Sequence, residues 1–280
     1  VTSRTSREGP TFVQAALRVF DVSVGEMLWS RRTIFMALVV GAPVVIALVV
    51  RSLDLAGVPP VRVNGVRVSG PSIFGVLIWF LYLRFIVPVL GAFYGTSLIA
   101  DEVDDKTITY LFTRPIPRGA VAVGKYLSYL ACTLLVVLPS VVVVYFLVVP
   151  VAGGSIAAAF PLLVRDLGLL ALGLVAYGAF FAFIGARLKR PLLFGLAFAF
   201  GWESAVQLLP GYFKRLSIAY YLDALVPHEA PQDGLVGMIQ SFFRDQPPAW
   251  AAVTALVAIT VVFLAWTART VARREYVLEQ

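Results

Sequence analysis

The sequence predicts an all-α polytopic membrane protein: six transmembrane helices, an N-terminal amphipathic helix in the interface, a short cytoplasmic helix between spans two and three, and a small extracytoplasmic β-hairpin. Three observations predict it. Of 280 residues, 60% are hydrophobic and 14% charged, and the mean hydropathy is +0.87, far from the balance of a soluble domain. Apolar segments recur at the ~20-residue length that a helix needs to cross a hydrocarbon core. The cations between those segments are dense on one side and sparse on the other.

Residues 1–33 come first. Phe12, Val13, Ala16, Leu17, Phe20, Val24, Met27 and Leu28 recur at helical spacing, while Gln14, Arg18 and Asp21 line the other face. That pattern predicts a helix lying in the cytoplasmic interface. The stretch is too long for a signal-peptide n-region, and no small-x-small site follows the first apolar run, so the first span is expected to stay attached. The six spans are Ile34–Val50, Ser72–Ala100, Tyr126–Val149, Leu167–Ala186, Leu192–Leu209 and Trp250–Thr267, with 268–280 as a tail, all in one membrane domain. The second is longer than a membrane needs and contains Pro88, which predicts tilt or a kink. Between spans one and two, Val61–Val68 alternates Val with Arg or Asn around Asn64-Gly65, the dipeptide of a type I′ turn, and predicts the hairpin. Between spans five and six, Pro210–Pro248 carries Phe213, Leu216, Tyr220, Tyr221 and Leu225, which suit one helix at the outer interface.

Charge fixes the sides. One side holds Arg4, Arg7, Arg18, Arg31 and Arg32, then Lys106, Arg114, Arg118 and Lys125, then Arg187, Lys189 and Arg190, then Arg269, Arg273 and Arg274. The other holds Arg51, Arg62, Arg67, Arg165, Lys214, Arg215 and Arg244, roughly half as many. Both termini are therefore expected in the cytoplasm. Anionic lipid beside the basic loops accounts for the net charge of +7 without a nucleic-acid partner. Cys132 and His228 each stand alone in their residue type, so no disulfide within the chain and no His/Cys metal site can form.

The charged run between spans two and three, residues 95–130, admits three readings. Gly119-x4-Gly124-Lys125 follows a phosphate-binding loop up to its Lys, but Tyr126 replaces the hydroxyl residue that would hold Mg²⁺, and a membrane span follows in place of a helix over a sheet. Asp101–Asp105 places four carboxylates in a cluster that could hold Mg²⁺ against a diphosphate, as in an intramembrane transferase, but every other cytoplasmic loop is basic. The third reading is a coupling element. Pro115 and Pro117 stiffen the exit of a short helix, about Glu102–Thr113, into span three.

In that run, "LIADEVDDKTITYLFTRPIPRGAVAVGKYL" resembles the cytoplasmic segment between the second and third spans of permease subunits of type-2 ATP-binding-cassette (ABC) exporters. In that family two acids, a Gly, a Thr and an apolar residue precede an Arg/Ser-Pro turn, a basic residue and a Lys that heads the next span. Glu102, Asp104, Thr107, Ile108, Arg114-Pro115, Arg118 and Lys125 take those places here, with Asp105 beside them, and Lys106 stands where Gly is usual. The layout of spans and "WESAVQLLPGYFKRLSIAYYL" (202–222) are also similar to members of that family. The resemblance implies a transport subunit in the plasma membrane with no ATPase site or cofactor of its own. It implies that Glu102, Asp104, Asp105, Thr107, Arg114, Pro115 and Arg118 meet a separate ATPase subunit, present in two copies and supplying ATP and Mg²⁺. The chain would pair with itself or with a related permease.

Arg84 and Glu203 are the charges inside spans, where each costs on the order of 2.5–3.5 kcal/mol unless paired or facing a cavity. At ~1.5 Å per residue, Arg84 lies roughly 24 Å from Ala100 and Glu203 roughly 17 Å from Leu192, a difference an Arg side chain can bridge. An Arg84–Glu203 pair between spans two and five is expected. A buried Glu203 also keeps open the reading of a proton-coupled carrier.

Overall fold

The computed structural model describes residues 11–29, 31–59, 62–63, 66–104, 117–206, 211–227 and 247–273. The chain runs through α1 (Phe12–Leu28) and α2 (Arg31–Leu55) to a short antiparallel ladder, β1 (Arg62–Val63) and β2 (Val66–Arg67). Then follow α3 (70–104), α4 (Arg118–Val148), α5 (Ile156–Arg187), α6 (191–205), α7 (Ile218–Asp223) and α8 (Ala249–Arg273). Tight 3-10 turns occupy Val151–Gly153 and Gly211–Leu216. In the ladder Arg62 faces Arg67 and Val63 faces Val66; Asn64 and Gly65 lie outside the described residues.

Among the described residues five helices are long and apolar enough to cross a membrane: α2, α3, α4, α5 and α8. They correspond to five of the six expected spans. The remaining one, Leu192–Leu209, is helical over 191–205, about 22 Å at 1.5 Å per residue and too short alone to cross. Two others begin well before their apolar runs: α4 starts at Arg118 and α5 at Ile156, so Arg165 and Asp166 sit inside a helix.

The centre of the bundle is α4 and α5, with α3 and α8 against α5 and α1 and α2 against α4. Burial of apolar surface does little to hold helices together in lipid, so close backbone approach and interhelical hydrogen bonds carry the packing. The Tyr126 hydroxyl donates to the Val175 carbonyl at 2.8 Å and Tyr129 to Leu174 at 3.2 Å, both from α4 to α5. Tyr82 and Ser140 join α3 to α4 at 2.8 Å. A Cβ on Gly185 of α5 would stand 2.2 Å from the Thr96 carbonyl oxygen of α3, so only glycine permits that crossing.

The phosphate-loop likeness ends here as a packing feature. Gly119 through Lys125 lie in the first turns of α4, with no loop to wrap a phosphate. A Cβ on Gly124 would sit 2.5 Å from the Ala16 carbonyl oxygen, and Ser128 Oγ donates to the Phe20 carbonyl at 3.1 Å, so Gly124 is where α1 closes onto α4. Thr11 and Gln14 start α1 with a reciprocal capping box. Its inward face is made of small residues, Ala15, Ala16, Val19 and Ser23, while Phe12, Val13 and Leu17 point outward. The wide apolar stripe read from the sequence therefore splits into a small-residue face on α4 and a bulky face left for lipid.

The outer excursion also differs from the single helix expected. The chain breaks at Ser217, which ends the Gly211–Leu216 turn and caps α7, accepting from the Tyr220 N–H at 3.1 Å. Phe213 and Leu216 are exposed, but Ile218, Ala219 and Leu222 are buried. α7 is thus inserted among α5 and α8 instead of lying on a surface.

Candidate functional site

Two regions hold the residues that the sequence singles out. The first forms where α6 delivers Glu203 to the start of α7. Pro191 opens α6 at a position where its missing N–H costs nothing, and the helix widens to π winding over Ala197–Trp202 before Glu203. The Glu203 carboxylate is 3% exposed. It accepts hydrogen bonds from Ser217 Oγ, from the Ile218 N–H at 3.0 Å and from the Ala219 N–H at 3.3 Å. The two N–H groups are among those that a helix start leaves unmet, and a buried anion satisfies them directly.

At the other end of α7, Asp223 Oδ2 lies 2.5 Å from Arg84 Nη2 of α3. Asp223 Oδ1 accepts from Trp79 Nε1 at 3.2 Å, and the Arg84 Cζ stands 5.5 Å from the centre of the Trp79 ring. Trp79 and Arg84 are five residues apart. On α-helical winding such residues point roughly 140° apart. α3, however, has i→i+5 winding over Leu77–Ile86, which turns both side chains toward one carboxylate. Tyr177 of α5, fully buried, neighbours both Glu203 and Arg84.

The expected Arg84–Glu203 pair is corrected: Arg84 meets Asp223, and Glu203 caps a helix. The pairing argument counted only charges inside spans, whereas Asp223 comes from the outer excursion, which folds back to the depth of Arg84. Ser217 directly before "IAYYLD" is an N-cap signal that sequence alone offers. The π winding that recruits Trp79 has no such signal. Because both carboxylates already accept bonds from fixed donors, the arrangement reads as a structural clasp on α7.

The second region is the far end of α3. Glu102 and Asp104 fall in its closing segment, Thr96–Asp104, which packs near α4, α5 and the start of α6. Asp105, Thr107, Arg114 and Pro115, and most of the short helix expected at Glu102–Thr113, lie outside the described residues. Pro117 precedes α4 as its N-cap, and Arg118 is its exposed first residue. Among the described residues no group of three or more His, Cys, Asp or Glu could hold a metal ion, and Cys132 is buried.

In a comparison with protein families, a family model described as ABC-2 family transporter protein matches residues 12–276. Comparison with the curated proteins found no match.

Proposed function

The chain belongs to the ABC-2 family of transporter membrane proteins, and from that premise we propose that it forms the translocation pathway of an ATP-driven exporter, coupled to its motor through residues 101–118. Permeases of this family lack an ATPase domain and work with ABC ATPase subunits; the chain is their transport partner. In the proposed assembly two ATPase subunits bind a dimer of this chain, or this chain with a related permease, beneath the plasma membrane.

The observation that carries the coupling reading is the continuity of α3. It runs without a break from the clasp at Arg84 to the acids at Glu102 and Asp104, about 30 Å at 1.5 Å per residue. A push on its acidic end is delivered to the helix whose side chain holds α7. The two π-wound stretches, Leu77–Ile86 and Gly91–Gly95, are where that rod can change its winding.

Topology supports the same reading. Five crossings would put the chain's two ends on opposite faces, yet Arg31 and Arg32 at one end match Arg269 and Arg273 at the other. In the proposal α6, together with the residues that follow it, makes the sixth crossing, and both termini face the cytoplasm.

The test is affinity purification of the chain from its native membrane in mild detergent, with mass spectrometry of whatever accompanies it. A nucleotide-binding subunit is expected with the wild type and reduced roughly tenfold with Glu102→Arg, as for a charge placed against a complementary surface. Loss of no subunit on reversal would reject the 101–118 contact. No ATPase in any of several detergents would reject the coupled exporter.

A further inference from the structure

α7 is six residues long, well below the ~12–15 at which an isolated helix begins to hold itself, so its place among α5 and α8 depends on what grips its ends. Its first turn is gripped by Glu203 of α6, through Ser217 Oγ and the N–H groups of Ile218 and Ala219. Its last residue, Asp223, is gripped by Trp79 and Arg84 of α3. Both grips come from π-wound backbone. Glu203 directly follows the π turn Ala197–Trp202, and Trp79 and Arg84 both lie within Leu77–Ile86. The two π stretches also meet, with the Phe85 and Phe200 rings 5.8 Å apart, centre to centre, so the two anchors are neighbours.

Winding of the i→i+5 kind is rare in helices and concentrates at functional places. Here it has a definite consequence. It aims Trp79 and Arg84 at one carboxylate, whereas α winding would set them roughly 140° apart and leave Asp223 able to hold only one. Between them, buried Tyr82 is fixed to Ser140 of α4 at 2.8 Å, while Trp79 and Phe80 are exposed and can turn without displacing a neighbouring helix. The dependence runs both ways: whatever a seated α7 contributes to π winding, π winding contributes to the seating of α7.

We propose that α3 and α7 form a two-position catch. With Leu77–Ile86 in π winding, Trp79 and Arg84 both reach Asp223 and α7 is seated. When that stretch returns to α winding, Trp79 turns off Asp223 and α7 loosens at its far end. The Glu203 end, buried and met by three donors, stays closed, so the movement hinges at Ser217. The catch involves neither cargo nor ATPase and stands apart from the coupling reading.

Hydrogen–deuterium exchange of the purified full chain in mild detergent, read by mass spectrometry, follows both halves of the catch: the amides of Ile218–Asp223 and those of Leu77–Ile86. Deleting Phe80 leaves Trp79 and Arg84 four residues apart, neighbours on one face of an α-helix, so both reach Asp223 without π winding. The residues before Trp79 keep their faces, because i→i+4 winding needs one residue fewer per turn. This variant is expected to be locked shut, with exchange across Ile218–Asp223 slowed at least about fivefold. Less slowing than that, or faster exchange, would overturn the proposal, since a Trp79 that merely packs gains nothing from the deletion. Trp79→Phe keeps a ring but removes the Nε1–H that Asp223 accepts, and should speed exchange at least about threefold in both segments together. Faster exchange in α7 alone would make Trp79 an ordinary contact and overturn the catch, as would no change in either segment. Amides around Tyr129 in α4 are the reference, and a rise there as large as in α7 would mean general loosening and count against the catch. Should the deletion variant fail to fold, the Trp79→Phe pattern decides alone. Because no nucleotide-binding subunit takes part, failure here leaves the test of coupling standing.

Discussion

Around α7, Arg84 meets Asp223 at 2.5 Å and Glu203 is fully engaged by the helix start. At the ends of α5 and α8, by contrast, Arg187, Arg269 and Arg273 line one cavity with Phe183, Trp266 and Thr270. Both regions gather polar groups in an otherwise apolar bundle, but they treat the cost of charge differently. Where charge is answered within the chain, it fixes the position of a short helix that could not hold itself. Where cations stand exposed, as Arg187, Arg269 and Arg273 do, water shares the cost of charge, and the fold depends less on any one of them. Removing a charge should therefore damage folding more in the first region than in the second.

Glu203→Ala should give the largest effect and is the quickest way to break that contrast. It leaves Ser217 Oγ and the N–H groups of Ile218 and Ala219 buried without an acceptor. A loss of about 3–5 kcal/mol is expected, in the range for removing one member of a buried charged network. Thermal unfolding in detergent, or recovery of monodisperse protein, measures it. Glu203→Gln keeps one acceptor oxygen and should cost less, about 1–2 kcal/mol. A Glu203→Ala protein as stable as wild type would show that α7 is not held by this carboxylate.

Asp223→Asn comes next. The Arg84 and Asp223 side chains are 22% and 20% exposed, so water can partly rescue whichever is left. The cost should fall below that of a fully buried pair, at about 2 kcal/mol. Exchanging the charges, with Arg84→Asp and Asp223→Arg together, should recover part of that loss. Recovery of none would mean that Trp79, whose Nε1 and ring depend on the native arrangement, contributes more than the ion pair itself.

The bundle was largely legible in the sequence because lipid imposes a simple rule: about 20 apolar residues for each crossing. Five spans followed from it directly. The same rule marks Leu192–Leu209, of which the described helix covers 191–205, but length and hydropathy do not register that Glu203 is committed to capping another helix. The Arg84 partner was missed for a related reason. Asp223 follows an aromatic run that reads as interfacial, and only the break at Ser217, a residue in plain view, sends that run back into the bundle. Trp79 was out of reach altogether, because 3.6-residue periodicity places it away from Arg84 and only π winding brings the two together. On the basic side the reverse held. Arg187, Arg269 and Arg273 were each read as topology markers, but their convergence depends on how α5 and α8 cross, which periodicity within one helix does not reveal.

The smallest expected change sharpens the contrast most. Arg269→Ala with Arg273→Ala, measured in detergent stripped of lipid, should alter stability by less than about 0.5 kcal/mol, as for surface substitutions that break no internal partnership. The sign is informative as well. Three guanidinium groups around one cavity repel one another, so removing two of them relieves repulsion and can raise the unfolding temperature slightly when no anion is present. A double variant that loses as much stability without lipid as Asp223→Asn does would place these arginines with the clasp around α7, as structural charges, and the two regions would no longer differ in kind.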